Sequence, residues 1–474
     1  MEVTLADTIL IKGVSRTALP TLLAREPAVV FDPVTGSAQM YIGTPTGNQL
    51  VTGIAGAGTV GPAGPAGVAG AAGVAGATGP AGSAGGATGP AGPTGAGVVG
   101  ILTSAPGTGL TAATGNGTTD DTAALAAIVG SAQTNLVPVL LSTGLYNIAA
   151  PLQVNRPSAF DISSSTINVQ PGFILRGLTA PSVQAIATTG NMIQMTGTNQ
   201  DAILQLGKGA CLGSLIENIA LFGGSPAQAT LYGIHTLYDY WSRLSLVNVR
   251  IDGVDCPIWI DGALGGGNGE FFNAYNCNLG GRGGCYKNTS PSGQALIHTL
   301  TACSGGTTNG GTQFFLNDGQ LNVFGWSCSQ TIGPLANTFL RLDNTLSGRC
   351  SFIGGRSEHT DTLISWVGGS YTQTGTVTIE GIDFPGMSGT QSLFTGGGGN
   401  SNYRFVIKRC VFSTLNAVAG PLINSMATTG HEQIVFEDCD FSGWGGGYAA
   451  LSTNPRITLI RCRSLTSTGV AITL

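Results

Sequence analysis

The chain has 474 residues, and only 9% of them are charged, compared with about 25% in an average globular domain. Its 24 acidic and 19 basic residues give a formal net charge of −5, which excludes the basic surface typical of nucleic-acid-binding proteins. No apolar run approaches about 18 residues, so no membrane insertion is predicted, and the opening residues lack the features of a secretory signal. The 76 glycines, with many Ser, Thr and Asn, favour strands and turns over long helices.

A run of Gly-X-Y triplets follows a short first segment, residues 1–52, which is predicted to be a small β module. Glycine occupies every third position from Gly58 to Gly85 and again, after one extra residue, up to Gly95. Three polyproline-II chains wind about one axis only if every third residue lacks a side chain. Residues 53–100 are therefore predicted to form a collagen-like triple helix, which makes the protein a homotrimer. A flexible Gly/Ala/Pro linker is the alternative.

Residues 101–150 are predicted to hold a linker and one helix that caps the following domain. Asp120 or Asp121 precedes an alanine-rich segment and is expected to cap the free N–H groups at its start. The apolar residues of this segment recur at helical spacing and predict one buried stripe: Leu125, Ile128 and Val129.

Short apolar strands recur through residues 151–474 and predict a solenoid. When the strands are aligned on the residue that ends each of them, the intervals range from 23 to 30 residues. Strand-rich repeats of this length without intervening helices indicate a parallel β-helix. The aligned column consists of Asn218, Asn248, Cys277, Cys303, Cys328, Gly355, Gly381, Cys410, Cys439 and Cys462.

Six of the ten cysteines lie in this one column. Coils of a β-helix stack equivalent side chains at about 4.8 Å, so we predict a ladder of buried, reduced thiols. Disulfides between stacked neighbours are the alternative, because their Cα separation lies within the range that a disulfide spans. No metal site is predicted, since the chain has no C-x-x-C pair and its four histidines are scattered.

The segment from Gly115 to Leu125 resembles the opening motif of the pectate-lyase-like β-helix superfamily, which is common in bacteriophage tailspikes and tail fibres. Asn116 stands where the family usually has Asp. Val139–Tyr146 is similar to the family's first strand and turn, and Phe173–Gly177 to its next coil. The resemblance implies a right-handed parallel β-helix in which these residues are structural.

The first 52 residues carry a second resemblance. Glu26-Pro27, Asp32 and Tyr41–Thr44 look like a small β module found at the start of many phage tail-fibre proteins. The module, rod and β-helix, in this order, resemble a phage tail fibre or tailspike. The resemblance implies a virion protein made in the host bacterial cytoplasm, attached to a phage tail or baseplate protein through its N-terminal module. The fold class expected is all-β, a β-helix in a homotrimer behind a collagen-like rod.

Polysaccharide hydrolysis needs two carboxylates about 5–9.5 Å apart. The densest charged cluster here runs from Arg356 to Asp361 and is followed one coil later by Asp383. Matching positions of adjacent coils are about 4.8 Å apart, so Glu358 and Asp383 are expected to face each other. The alternative is a surface turn with a local Arg–Glu ion pair. The candidate catalytic residues are Glu358, His359, Asp361 and Asp383.

Binding without cleavage requires aromatic faces that stack on sugar rings and polar groups that bind hydroxyls. The alternative is that these aromatic residues pack in the core of the solenoid. The candidate glycan-binding residues are Tyr238, Trp241, Arg356, Tyr403, Trp444 and Tyr448.

The sequence thus predicts a homotrimeric tail fibre or tailspike that binds a host cell-surface polysaccharide, without a cofactor. One alternative is a depolymerase, a glycoside hydrolase or polysaccharide lyase that cleaves capsule or lipopolysaccharide. The second alternative is a purely structural connector fibre.

Overall fold

The computed structural model divides into two compact units, Met1–Gly92 and Pro93–Leu474. In the first unit it describes the backbone of residues 9–12, 27–31, 38–44 and 47–50. In the second it describes residues 100–473 except for a set of connecting segments: 155–172, 180–189, 207–212, 225–229, 237–242, 262–270, 290–296, 309, 318, 331–336, 344–348, 368–372, 388–392, 398–400, 415–422, 425–432, 444–456 and 466–470.

The first unit contains a four-stranded sheet in the order β1-β2-β3-β4. β1 pairs in parallel with β2, whereas β2, β3 and β4 are antiparallel neighbours. The Gly-X-Y run from Gly58 to Gly95 lies outside the described residues, so the triple helix stays a prediction. The strands are β1 (Ile9–Lys12), β2 (Pro27–Phe31), β3 (Ala38–Thr44) and β4 (Gly47–Leu50).

The second unit is an all-β parallel solenoid with three faces, and its described residues include one helix, α1 (Thr122–Asn135). The first and second faces meet at a corner and together form a 24-stranded sheet, and the third face is a separate ten-stranded sheet. The strands of the first face are β5 (Ile101–Leu102), β7 (Val139–Leu141), β10 (Ile174–Gly177), β13 (Ser214–Glu217), β16 (Arg243–Val247), β19 (Phe271–Tyr275), β22 (Ile297–Thr301), β31 (Ser401–Lys408), β34 (Gln433–Glu437) and β36 (Ile457–Ile460), with the first parts of three long strands.

Those three strands bend around the corner and continue on the second face: β25 (Gln320–Gln330), β27 (Arg349–Ser357) and β29 (Gln373–Met387). The other strands of the second face are β6 (Asn116–Asp120), β8 (Gly144–Ile148), β11 (Asn191–Met195), β14 (Ala220–Phe222), β17 (Arg250–Val254), β20 (Asn278–Gly281), β23 (Ser304–Thr307), β32 (Val411–Thr414), β35 (Asp440–Gly443), β37 (Arg463–Leu465) and the antiparallel β38 (Ala471–Thr473).

The strands of the third face are β9 (Leu152–Val154), β12 (Ala202–Leu206), β15 (Tyr232–Thr236), β18 (Cys256–Ile260), β21 (Gly284–Asn288), β24 (Thr312–Leu316), β26 (Thr338–Asp343), β28 (Thr362–Val367), β30 (Phe394–Gly397) and β33 (Ile423–Asn424).

The alternation of side chains along each strand builds one continuous core. In β16, Leu244 and Leu246 point inward and are fully buried, whereas Ser245 and Val247 lie on the outer surface. Equivalent inward residues stack from coil to coil. The aromatic part of this core is a ladder with ring centroids 4.9 to 5.5 Å apart, formed by Phe352, Phe339, Phe384, Phe412 and Phe441.

The corner between the first and second faces uses one left-handed residue per coil. Asn218, Asn248 and Asn276 occupy it with φ of 56°, 53° and 51°, and Asn tolerates this conformation better than most residues. Their side-chain amides form a ladder, because Asn276 donates to Asn248 at 2.8 Å and Asn248 donates to Asn218 at 3.0 Å. The corner continues through Ala302, Gly325, Gly354, Gly381, Arg409, Asp438 and Arg461.

This register separates the residues of the predicted column into three positions: the corner, a second column one residue later, and the separate position of Cys328. Asn218, Asn248 and Gly381 belong to the corner, whereas the buried column begins one residue later with Ile219 and Val249. Cys328 lies outside both, since its register partners are Gly305 and Ser357. This column therefore consists of Ile219, Val249, Cys277, Cys303, Trp326, Gly355, Ile382, Cys410, Cys439 and Cys462, and all of them except Gly355 are buried.

All nine described cysteines are buried and free, as the reduced-ladder prediction requires. They fill core positions that short apolar residues occupy in other coils, and their thiols donate to backbone carbonyls, as Cys303 does to Thr301 at 3.4 Å. They serve packing, because none is presented to solvent.

Alkaline pH is expected to destabilise the solenoid through the buried thiol of Cys350. Burial raises the pKa of Cys350 from its ordinary 9.0 to about 12. Between pH 9 and pH 12 the Cys350 thiol ionises in the unfolded chain but not in the folded one. The stability present below pH 9 is therefore lost as the pH rises, by about 1.4 kcal/mol per pH unit. Guanidinium unfolding at pH 9 and 10.5 should show a loss about 2 kcal/mol smaller for Cys350→Ala than for the unchanged protein. Equal losses in the two proteins would contradict this assignment.

The structure contains the predicted helix at the start of the solenoid, and of the two candidate capping residues only Asp120 accepts from an N–H at its start. Leu125, Ile128 and Val129 are buried in α1. Asp121 precedes the helix, but its carboxylate accepts from the backbone N–H groups of Thr114 at 2.6 Å and Gly115 at 3.0 Å, not from the helix. The carboxylate of Asp120 accepts from the N–H of residue 122 at 3.0 Å instead.

Residues 101–150 are part of the solenoid, because β5 pairs with β7 and β6 pairs with β8 in the large sheet. Among the described residues, no helix has the length and apolar character needed to cross a membrane.

Candidate functional site

The predicted catalytic cluster lies where β27 ends on the second face. The register places Asp383 beside Arg356, two residues away from Glu358, so the expected Glu358–Asp383 pair is not formed across the coils. Arg356 instead forms an ion pair with Glu358, which directly follows the end of the same strand; Arg356 Nη2 lies 3.0 Å from Glu358 Oε1. The local Arg–Glu ion pair, the alternative considered from sequence, is what the structure shows. Such an exposed pair contributes little to stability.

His359 and Asp361 hold the turn that follows. His359 has a left-handed φ of 55°, and its Nδ1 lies 3.0 Å from the carbonyl of Gly386. Asp361 is only 8% exposed, and its Oδ2 accepts from the backbone N–H of Asn337 at 2.8 Å. A carboxylate committed to a backbone N–H in the interior is not presented to a substrate. Asp361 thus stabilises the turn, and its catalytic role stays a prediction.

A buried polar network lies beneath this turn. The side chain of Gln313 accepts from the indole N–H of Trp326 at 2.9 Å and donates to Ser357 at 2.7 Å. Ser357 and Thr360 are 2.8 Å apart, and all four residues are at most 1% exposed. Because each polar group has a partner, the network stabilises the turn between the second and third faces and leaves no group for chemistry.

Of the predicted glycan-binding residues, Tyr403 is buried, with 1% exposure, and its ring packs against Phe405 at 5.6 Å. It belongs to the core, so its prediction as a sugar-stacking residue is wrong. Arg356 is exposed and is paired with Glu358. The remaining four candidates lie outside the described residues: Tyr238, Trp241, Trp444 and Tyr448.

The third face carries an aromatic and charged cluster that the sequence interpretation missed. It is called the Trp259 cluster here and comprises Asp201, Tyr232, His235, Trp259, Asp261 and Lys287. The His235 and Trp259 rings stack at 4.1 Å with an interplanar angle of 3°. Lys287 Nζ lies 4.4 Å from the Trp259 centroid, and the Tyr232 ring lies 4.1 Å from it. The cluster is therefore a closely packed stack that ends in a cation.

Strand register brings these residues together. His235, Trp259 and Lys287 are successive partners in β15, β18 and β21, at the outward position of each strand. They are separated by 24 and 28 residues, which matches the repeat of the predicted corner column. Extending the periodic alignment to the strands of the third face would have aligned His235, Trp259 and Lys287 in one row.

Two carboxylates hold the imidazole from opposite sides. Asp201 Oδ2 lies 2.5 Å from His235 Nδ1, and Asp261 Oδ2 lies 3.4 Å from His235 Nε2. Asp261 also accepts from Thr289, whose hydroxyl in turn accepts from the Trp259 indole N–H at 2.7 Å. His235 is nearly buried, whereas the Asp201 side chain is 41% exposed. Asp201 therefore presents carboxylate surface to solvent in a fixed orientation.

Burial and negative charge shape the edge of the cluster. Burial, reinforced by the charge of Asp255, raises the pKa of Tyr232 well above its usual value. Burial likewise raises the pKa of Asp255, against the opposing effect of its ion pair with Arg282 at 3.1 Å. At neutral pH the Tyr232 hydroxyl stays protonated and remains a hydrogen-bond donor.

The cluster offers hydrogen-bond donors and acceptors on a rigid surface. Asp201 accepts, and Lys287 and Tyr232 donate, whereas both faces of the Trp259 ring are covered by its neighbours in the row. Polar ligands rich in hydroxyl groups suit this arrangement better than flat apolar ligands. Within the described part of the chain, no group of three His, Cys, Asp or Glu residues is arranged to hold a metal ion.

Comparison with known proteins shows likenesses of structure only. ORF18 of Geobacillus virus E2 matches at 12% identity over 93% of this chain and 76% of its own, with a TM-score of 0.39. The tailspike protein of Acinetobacter phage vB_ApiP_P1 matches at 14% identity over 79% and 66%, with a TM-score of 0.48. DFA-IIIase from Arthrobacter chlorophenolicus A6 matches at 9% identity over 73% and 95%, with a TM-score of 0.45. No protein-family model and no curated protein sequence matches the chain.

Proposed function

We propose that this chain is the subunit of a homotrimeric bacteriophage tail fibre or tailspike that binds a host surface polysaccharide. The observation that carries glycan binding is the Trp259 cluster, a preorganised set of donors and acceptors on the third face. The order of segments in the sequence supports the assembly: a β module, a Gly-X-Y rod and a solenoid. The N-terminal module attaches the fibre to a phage tail or baseplate protein.

The chemistry of the cluster favours a sugar among polar ligands. Asp201 is oriented by His235 and by Gln205, which donates to it at 3.0 Å. Gln153 donates to Gln205 at 2.5 Å and extends the row by one coil. Fixed carboxylates and amides bind pairs of adjacent hydroxyls with little loss of side-chain entropy. Weak contacts of this kind gain strength when three copies engage one polysaccharide surface.

Binding should weaken at least tenfold in Asp201→Asn and in Lys287→Met when it is measured against purified capsular polysaccharides and lipopolysaccharides. Each change removes one charge and keeps the approximate side-chain volume. Arg341→Met is the matched control, since Arg341 lies in the same outward row and covers Phe315 at 5.3 Å. Surface plasmon resonance with immobilised polysaccharide gives the affinities, and circular dichroism checks the fold.

Unchanged binding of Asp201→Asn and Lys287→Met to a polysaccharide that the unchanged protein binds would place the binding surface elsewhere. The same mixtures test the alternative activity. Shortened chains at high protein concentration would identify a depolymerase, and their absence would rule against cleavage of the polysaccharides tested.

A further inference from the structure

The outer surface of the first face carries four exposed apolar side chains and the half-buried Phe271, which lies 5.7 Å below the Arg243 guanidinium. Together they are called here the Tyr275 patch: Phe271, Tyr275, Ile297, Phe324 and Ile353. Tyr275 is 55% exposed, and Ile297, Phe324 and Ile353 are 40%, 38% and 39% exposed. They lie on β19, β22, β25 and β27, which are consecutive coils about 4.8 Å apart. Contiguous exposed apolar surface marks a contact site.

An uncharged row runs through the middle of this face. Its residues are successive register partners, and their side chains lie on the outer surface. Over eleven coils the row contains small polar and aliphatic side chains and no charge: Ile174, Leu215, Ser245, Asn273, Thr299, Asn322, Ser351, Thr378, Val406, Val435 and Thr458.

The other two faces differ in this respect. On the second face the outward row through Arg356 includes Asp383 and, two coils further, Asp440. On the third face the outward row includes Lys287 and Arg341. Among the described residues, the central row of the first face is thus neutral where both other faces carry charges.

We infer that the first face, centred on the Tyr275 patch, is the surface through which the solenoids of three copies of this chain pack around a threefold axis. The Gly-X-Y run predicts three parallel chains in register. Under such symmetry a residue near the axis meets the same residue of the other copies, and like charges placed opposite one another repel. The neutral row, beside which the Tyr275 patch lies in four coils, satisfies this requirement at the centre of the face.

Charges at one edge of the face are partly compensated within the chain, whereas the exposed Arg243, Arg349 and Arg404 lie along the other edge. Arg176 binds Glu217, and Lys408 binds Glu437 at 3.0 Å, each across adjacent coils. Each of these two pairs is electrically neutral. The inference rests on the homotrimer of the proposed function and is independent of glycan binding.

Crosslinking of the full chain tests the inference. Thr299→Cys places a thiol in the neutral row, and Thr395→Cys is the matched control, because Thr395 is an equally half-buried, outward threonine on the third face. A short flexible bismaleimide should convert Thr299→Cys to covalent dimer at least tenfold more than Thr395→Cys, as measured on denaturing gels. The unchanged protein, with its nine described thiols buried, should stay uncrosslinked.

A second pair of variants tests the contact between the first faces without a crosslinker. Phe324→Lys should lower the melting temperature of the assembly more than Val411→Lys, which alters a residue that is 45% exposed on the second face. Light scattering gives the mass in each case. A trimer mass with no excess crosslinking of Thr299→Cys would overturn the assignment of the face and keep the trimer. The mass of a single chain would overturn both. Polysaccharide binding by the Trp259 cluster is tested separately, by the Asp201→Asn and Lys287→Met variants.

Discussion

Gly355→Ala is expected to destabilise the solenoid by at least about 3 kcal/mol, because it combines overpacking with backbone strain. A Cβ on Gly355 would lie 1.9 Å from the backbone oxygen of Trp326, and the residue has a φ of +128°, which side chains rarely adopt. The clash is with backbone, so no side-chain rotation relieves it. A strong fall in the guanidinium midpoint, followed by circular dichroism, would be the measured result.

The adjacent Gly354→Ala supplies the matched control. Gly354 has a left-handed φ of +69°, but nothing lies within 4 Å of its added Cβ. The change should cost only about 1–2 kcal/mol, and Ala302 already occupies the equivalent corner in another coil, with φ 52°. Similar losses for the two variants would show that conformation, and not the contact with Trp326, determines the cost.

Phe339→Ala should cost about 3–5 kcal/mol, the range for a large side chain removed from a tightly packed core. Phe339 is fully buried, and its ring lies 4.9 Å from Phe352 and 5.5 Å from Phe384. The cavity would weaken the packing between coils, because the Phe339 ring contacts the rings of Phe352 and Phe384 in other strands. Urea unfolding followed by tryptophan fluorescence would report the change.

Phe315→Ala in the preceding coil is the control. Phe315 lies on the outer surface of β24, half-buried under Arg341, so its removal should cost about 1 kcal/mol. If Phe315→Ala were as destabilising as Phe339→Ala, the inward and outward assignment of the third face would be wrong.

The repeat length and the class of fold were predictable because they depend on local alternation. Each coil alternates apolar and polar residues, and the spacing of 23 to 30 residues is read directly from the chain. The predicted column was displaced by one residue at Asn218, Asn248 and Gly381 and by two at Cys328. The corner is hard to locate from sequence because Asn, Ala, Gly, Arg and Asp all adopt its left-handed conformation. Most of the cysteines lie one residue after the corner, and the alignment was based on them.

The predicted catalytic pair failed for a related reason. The distance between coils was correct, but the register places Asp383 beside Arg356 and not beside Glu358. An error of two residues keeps a side chain on the same surface and still changes its partner. The inward position of Tyr403 was likewise beyond sequence reasoning, since an aromatic residue suits either side of a strand.

By itself, the sequence determined the repeating strands, the buried cysteines and the helix at the start of the solenoid, because each depends on residues close together in the chain. Only the tertiary structure decided which residues of different coils meet. Connecting segments of unequal length separate His235, Trp259 and Lys287, so hydrogen-bonded register, and not sequence distance, aligns the Trp259 cluster. The same register decided that the Tyr275 patch lies beside the uncharged row of the first face. Side chains from coils far apart in sequence share that surface only after the chain has folded.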